Sequence, residues 1–189
     1  GANRLGCNSL LDLVIFGRRS GRKIKQTLSG LPWHEPASKP EQKVEQSISQ
    51  LKARKKGEKA GAIRKKLQET MMQYGASFRD GDGLEKALNE IRSLQERHAE
   101  VSIDDKGARF NSDLLEALEL ECLLGLSEAL MVSAGAREES RGAHYREDYP
   151  ERDDDNFLQH TLVQKTESDP HVFYKPVTIT RFEPKPRTY

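Results

Sequence analysis

The first residues, GANRLGCNSLLDLVIFG from Gly1 to Gly17, set an arginine, a serine and a helix start close together. Ser9 is a favourable N-cap with Asp12 three residues on, and Leu10, Leu11, Leu13, Val14, Ile15 and Phe16 follow. The amides after Ser9 form the free end of that helix, and their partial positive charge stabilises an anion placed before it. Arg4, in a turn between Gly1 and Gly6, supplies a forked, permanently charged donor to a carboxylate or phosphate beside that anion. By residue type alone, a surface ion pair at Arg4 and a plain cap at Ser9 account for the same residues.

A second group lies in ESRGAHYREDYPERDDDN, where His144 sits among Arg141, Arg146 and several carboxylates. A histidine so placed can serve as a base. The charges alternate in sign, however, which is the pattern of a salt-linked loop or subunit contact. Asp153, Asp154 and Asp155 suggest a metal, but consecutive carboxylates point in different directions and lack the glycine turn of a calcium loop, so they are expected to be solvated. His98 falls on an apolar stripe near a helix end with no second ligand spaced to join it, and is expected to be packed or to cap the helix.

The composition narrows the classes of function. Charged residues make up 32% of the chain, yet 31 Lys and Arg nearly cancel 30 Asp and Glu, for a net charge of +1. That balance gives no long-range attraction to nucleic acid or to an anionic bilayer. The hydrophobic fraction of 35% over 189 residues allows a modest core in one domain or two small ones. Cys7 and Cys122 lie far apart, without zinc or disulfide spacing, and a reducing compartment is expected. The apolar run from Leu10 to Phe16 is too short to span a membrane and contains Asp12.

These candidates need elements to position them. The helix from Ser9, apolar on all sides, is expected to be buried and to run to about Leu28, before Gly30. Pro32, Pro36 and Pro40 make Ser29 to Lys39 a surface linker, with Trp33 as its anchor. Three apolar stripes follow: Val44, Ile48 and Leu51; Ile63, Leu67, Met71 and Tyr74; and Leu84, Leu88, Ile91, Leu94, His98 and Val101. Short glycine-containing breaks between them predict an antiparallel helical bundle. A long central helix capped by Asn111 or Ser112 comes next, with Gly125, Ala129, Ser133, Ala134 and Gly135 expected to admit a close neighbour. After an irregular charged tract, FLQHTLVQKT and HVFYKPVTIT alternate around an SDP turn and predict a β-hairpin. The fold class is thus mainly α, an antiparallel helical bundle followed by a small α+β C-terminal region. No internal repeat is visible.

The order of the residues is more specific than their types. GANRLGCNSLLDLVIFG closely resembles the turn and helix that close over the flavin in the fumarate reductase and succinate dehydrogenase flavoprotein family, whose pattern is GANRLG, a small residue, then NSLL. Ser140 to Asp154 is similar to that family's SRGAHYREDYPERDD tract, and the resemblance extends over essentially the whole chain. Cys7 stands where the family more often has Gly or Ala. The resemblance implies that Arg4 grips a carboxylate of succinate or fumarate and that Ser9 and Leu10 bond the flavin ring of FAD. It further implies an iron–sulfur subunit and membrane-anchor subunits as partners, and a peripheral place on the cytoplasmic side of the inner (plasma) membrane.

Other features of that family are missing. There is no GxGxxG for the FAD pyrophosphate, no stretch with the histidine that bonds covalently to the flavin, and no capping domain with the catalytic arginine. No catalytic residue is therefore assigned here. The chain looks like the C-terminal portion of a larger subunit, with residues 1–30 ending the FAD-binding domain, 31–139 forming the helical domain and 140–189 the C-terminal region. Within the family, succinate dehydrogenase is favoured over fumarate reductase and L-aspartate oxidase by the Gly6-Cys7 pair, LLDLVIFGR and the closing RTY. From another class, a free-standing helical module that binds partner proteins suits residues 40–140 but leaves the apolar helix at Ser9 without a reason. Alone, the 189-residue chain is expected neither to hold FAD tightly nor to oxidise succinate. Stoichiometric flavin in the purified chain, or turnover with an artificial acceptor, contradicts that expectation.

Overall fold

The computed structural model describes residues 8–36, 38–167 and 169–185. Among these residues, six helices and one hairpin occur in the order α1 Asn8–Leu28, α2 Gln42–Ala53, α3 Ala60–Tyr74, α4 Gly81–Ala99, α5 Ser112–Gly135, α6 Asp154–Phe157, β1 Gln159–Gln164 and β2 His171–Pro176. Local chemistry sets several of these starts. Asp80 caps α4 by accepting from the Gly83 amide at 2.8 Å, and Asn111 caps α5 by accepting from the Leu114 amide at 2.7 Å. The hairpin is antiparallel, with Gln159 opposite Pro176 and Gln164 opposite His171.

The core lies where α3, α4 and α5 meet. Ile63 and Leu67 of α3, Ile91 and Leu94 of α4, and Leu120 and Leu124 of α5 are buried together with Val101 and Ile103 from the connection that follows α4. The mainly helical bundle and the hairpin are as expected, but membership of the bundle differs. Of the first stripe only Leu51 is buried, while Val44 is exposed, so α2 stands outside the bundle that α3 and α4 form with the long central helix α5, the latter as expected. A stripe three residues long buries too little apolar area to compete with the longer apolar surface of α5. What holds α2 is its C-terminal end. Lys106 Nζ donates to the carbonyls of Leu51 and Arg54, and Arg54 Nη1 donates to the Val101 carbonyl.

The same segment requires one glycine for space. A Cβ at Gly57 would stand 2.1 Å from the Glu100 carbonyl oxygen, because Ser102 draws the two strands of chain together by bonding the carbonyls of Gly57 and Glu58. Close approach does not explain the glycines of α5. A Cβ at Gly125 or Gly135 would meet nothing, so the expectation of tight packing there is not met. His98 is packed as expected, its Nε2 lying 3.0 Å from the Ala117 carbonyl.

One further expectation fails. Trp33 is 85% exposed and anchors nothing, leaving the proline-rich connection open to solvent. The cover expected for the first helix is that of the dinucleotide-binding domain, and among the described residues every apolar side chain from Leu10 to Phe16 is exposed, Leu10 by 69%. The physical reason is direct, since the principal contacts between elements join α3, α4, α5 and the hairpin and leave α1 outside. None of the helices among the described residues is long and apolar enough to cross a membrane.

Ile91 is fully buried between the three bundle helices. Ile91→Ala is expected to lower the unfolding free energy by about 3 kcal/mol, whereas Val44→Ala is expected to change it by less than about 0.5 kcal/mol. Urea denaturation of the two variants checks the assignment of α2 to the periphery.

Candidate functional site

The helix start singled out by the sequence is solvent-open. α1 begins at Asn8, so Ser9 lies within the first turn instead of capping it, and Leu10 follows on the same turn. No acidic residue occupies that turn, and the positive end of the helix dipole there favours an anion. Backbone amides and a hydroxyl with no carboxylate form a donor set suited to an anionic or electron-rich group. Arg4 and Cys7 lie outside the described residues.

The charged tract after α5 has the most elaborate side-chain geometry in the structure. Glu139 is 0% exposed, and its carboxylate is shared by two arginines. Arg137 Nε and Arg141 Nε each donate to Oε1 at 2.8 Å, Arg141 Nη2 donates to Oε2 at 3.0 Å, and the Asp153 amide donates to Oε2 at 2.9 Å. Burial alone would push the Glu139 pKa up, but the hydrogen bonds from Arg141, the Asp153 amide and Arg137 outweigh it and leave the carboxyl below its ordinary value. Arg137 spends its remaining donors on the carbonyls of Gln159 and Phe157 and the hydroxyl of Thr161, and so ties the hairpin to the end of α5.

A second pair joins two helix ends. Arg146 is almost fully buried, and its Nη1 donates to the carbonyls of Ala134 and Gly135, the last turn of α5. Its Nε and Nη2 grip Asp148 at 2.7 Å each, and Asp148 in turn accepts from the Gly81 amide at the start of α4. A cation at a helix C-terminus and an anion at a helix N-terminus each oppose the local dipole, so one ion pair satisfies both. The hydrogen bond from Arg146, with the Gly81 amide adding to it, lowers the Asp148 pKa to about 2.

His144 is held by both ring nitrogens. A carbonyl can only accept, so Nε2 carries the proton and donates to the Arg137 carbonyl at 3.1 Å, leaving Nδ1 to accept from Arg79 Nη1 at 3.1 Å. Burial pushes its pKa down, the carbonyl bond opposes this, and repulsion from Arg79, Arg146 and Arg137 adds to the lowering. The salt-linked reading of the tract therefore holds. The aspartates are not simply solvated: Asp153 caps α6 by accepting from the amides of Asp155 and Asn156, and Asp154 pairs with Arg141 and Arg152. Among the described residues, nothing forms a group able to hold a metal.

Sequence reasoning found His144, Arg141 and Arg146 but missed Arg79 and Arg137 as their partners. Arg79 sits 65 positions before His144, beyond the reach of any spacing rule.

Asp148 has a lowered pKa in the folded state, so its contribution to stability is present above the unfolded value and is lost as the pH falls through the folded one. Asp148→Asn is expected to cost about 1 kcal/mol at neutral pH, after allowance for solvent screening of the partly exposed carboxylate. The difference between wild type and variant is expected to close as the pH falls from about 4 to about 2. Denaturant unfolding at a series of pH values measures it.

Residues 64–189 match the family described as fumarate reductase flavoprotein C-term. The chain is 40% identical over 182 residues to the succinate dehydrogenase flavoprotein subunit of Rickettsia bellii, covering 95% of this chain and 30% of that protein. It is 41% identical over 198 residues to the fumarate reductase flavoprotein subunit of Mycobacterium tuberculosis, covering 100% of this chain and 34% of that one. The solved FrdA chain of E. coli quinol fumarate reductase has a TM-score of 0.87 and 37% identity, covering 98% of this chain and 32% of that chain. The chain spans about a third of the length of these relatives. By the extent of that match, it belongs to the fumarate reductase flavoprotein C-terminal family.

Proposed function

We propose that this chain is the C-terminal portion of the flavoprotein subunit of a succinate dehydrogenase. In this reading residues 1–30 end the FAD-binding domain, 31–139 form the helical domain and 140–189 the C-terminal region. The observation that carries the reading is the start of α1, where GANRLGCNSLL runs into a helix whose apolar side chains no described element covers. Such a surface suits a helix that packs within a larger body.

FAD fits the donor set at that turn, and when bound it supplies the capacity to accept hydrogen from adjacent carbons of a dicarboxylate. Ser9 and Leu10 would hold it, the Leu10 amide lying at the helix start. The fixed dipole of α1 would favour negative charge on a group held there, without reorganising. Arg4 would bind and orient a carboxylate of succinate or fumarate through its forked donors. The proton-transfer group is assigned to polypeptide outside this chain. Iron–sulfur and membrane-anchor subunits complete the proposed path to quinone, with the assembly on the cytoplasmic side of the inner (plasma) membrane.

A fumarate reductase is the second reading, favoured by the 41% identity to the mycobacterial protein of that name. In the complete subunit, Arg4→Ala is expected to weaken succinate binding about a hundredfold, the cost of removing one partner of a desolvated charge pair. Undiminished affinity for the diacid would falsify the role of Arg4. Initial rates of succinate dehydrogenation, fumarate reduction and aspartate oxidation by the same subunit test the choice of enzyme, and activity on aspartate alone overturns it.

A further inference from the structure

The junction behind α5 carries an uncompensated cation. Five guanidiniums gather there, those of Arg79, Arg137, Arg141, Arg146 and Arg152. Three carboxylates stand within ion-pair distance of them: Glu139 with Arg137 and Arg141, Asp148 with Arg146, and Asp154 with Arg141 and Arg152. Arg79 is the one member of the five without an ion pair among the described residues. Its Nε donates to the carbonyls of Gly75 and Ala76 and its Nη1 to His144, which fixes the guanidinium in place and leaves Nη2 without a hydrogen-bond partner among the described residues. Half-buried, it has its pKa lowered by burial with no acidic neighbour to oppose the effect.

Arg79 opens on a cavity of about 350 Å³ between the last turns of α5 and the start of β1, lined also by Ser133, Arg137, His144, His160 and Thr161. Among the described residues, no carboxylate lines it. Thr161 brings a second donor: its Oγ1 accepts from Arg137 Nη1 at 2.8 Å, which leaves its own proton to give. The ring of His144 cannot neutralise Arg79, because it is held as an acceptor at Nδ1. A rigid guanidinium without a counter-charge, beside a free hydroxyl in a recess free of acids, is the arrangement that binds an oxyanion.

We propose that this cavity is a binding site for an oxyanion of the carboxylate or phosphate class, with Arg79 as its charge partner and Thr161 as a second donor. The anion has two possible sources: a free small anion, or a carboxylate side chain presented by neighbouring polypeptide. The first arm of the test stands whether or not the chain is part of a succinate dehydrogenase, and only the second rests on that reading.

His144 is a built-in reporter, because the charged groups that face it are Arg79, Arg137 and Arg146, and an anion at Arg79 offsets their repulsion. In the first arm, the His144 pKa is followed by NMR of the histidine-labelled chain in inorganic phosphate and in chloride at equal ionic strength. A rise of about half a unit in phosphate is expected. Arg79→Gln is expected to abolish that rise, and Arg152→Gln, whose side chain lies off the cavity, to retain it. If Arg79→Gln does not fold, Arg79→Lys replaces it, with severalfold weaker half-saturation by phosphate expected. In the second arm, the complete subunit is measured without phosphate. A His144 pKa already raised above that of the separate chain, and insensitive to added phosphate, identifies a polypeptide carboxylate as the occupant. The proposal is overturned by an equal phosphate response in Arg79→Gln, by unchanged half-saturation in Arg79→Lys, or by the absence of any shift in both arms.

Discussion

A buried carboxylate holds the C-terminal half of this protein together. Glu139 has no contact with water, and a charge in that position is tolerated because two guanidiniums and a backbone amide surround it. Those bonds reach in different directions. Arg137 connects to the hairpin and Arg141 to α6, while the Asp153 amide fixes the turn between the tract and α6. Removing the carboxylate would leave two cations sharing a dry site, so the hairpin, α6 and the end of α5 depend on a single side chain.

Around that centre, charge replaces apolar area as the cohesive force. The bundle of α3, α4 and α5 is held by ordinary packing of Ile, Leu and Val, whereas β1 and β2 form a two-stranded sheet too small to be stable alone. The hairpin is secured by Arg137 and by the Tyr174 hydroxyl, which donates to the Ala136 carbonyl. Arg146 and Asp148 perform the corresponding service between α5 and α4, each placed where a helix dipole favours its sign. Among the described residues, Glu139 and Arg146 are the charged side chains given to the interior, and each is matched there by an opposite charge.

The sequence carried different parts of this arrangement with different clarity. Asn111, the stripe from Leu84 to Leu94 and the alternation in HVFYKP act locally, so their caps, helix face and strand were legible from spacing alone. The exclusion of α2 from the bundle was not, since Val44, Ile48 and Leu51 have the same period as a buried stripe and differ only in how much area they offer. The exposure of α1 is likewise invisible in its composition, because apolar residues state a need for cover without stating where the cover lies. At the candidate site, the ordered motif is what singles out Ser9 and Leu10, whose role is a proposal. The partners of His144 were not, because one acceptor is a backbone carbonyl and the donor Arg79 comes from a distant turn.

The attachment of α2 has a consequence for motion. Its hold on the rest of the molecule is concentrated in Leu51 and in the cationic clamps from Arg54 and Lys106, all at one end. The opposite end has only its own backbone ladder, so α2 can fray from Gln42 inward while the bundle stays intact. Amide exchange along this helix should then form a gradient, fastest near the prolines and slowest at the last turn, with the helix behaving as a hinged flap on a rigid base.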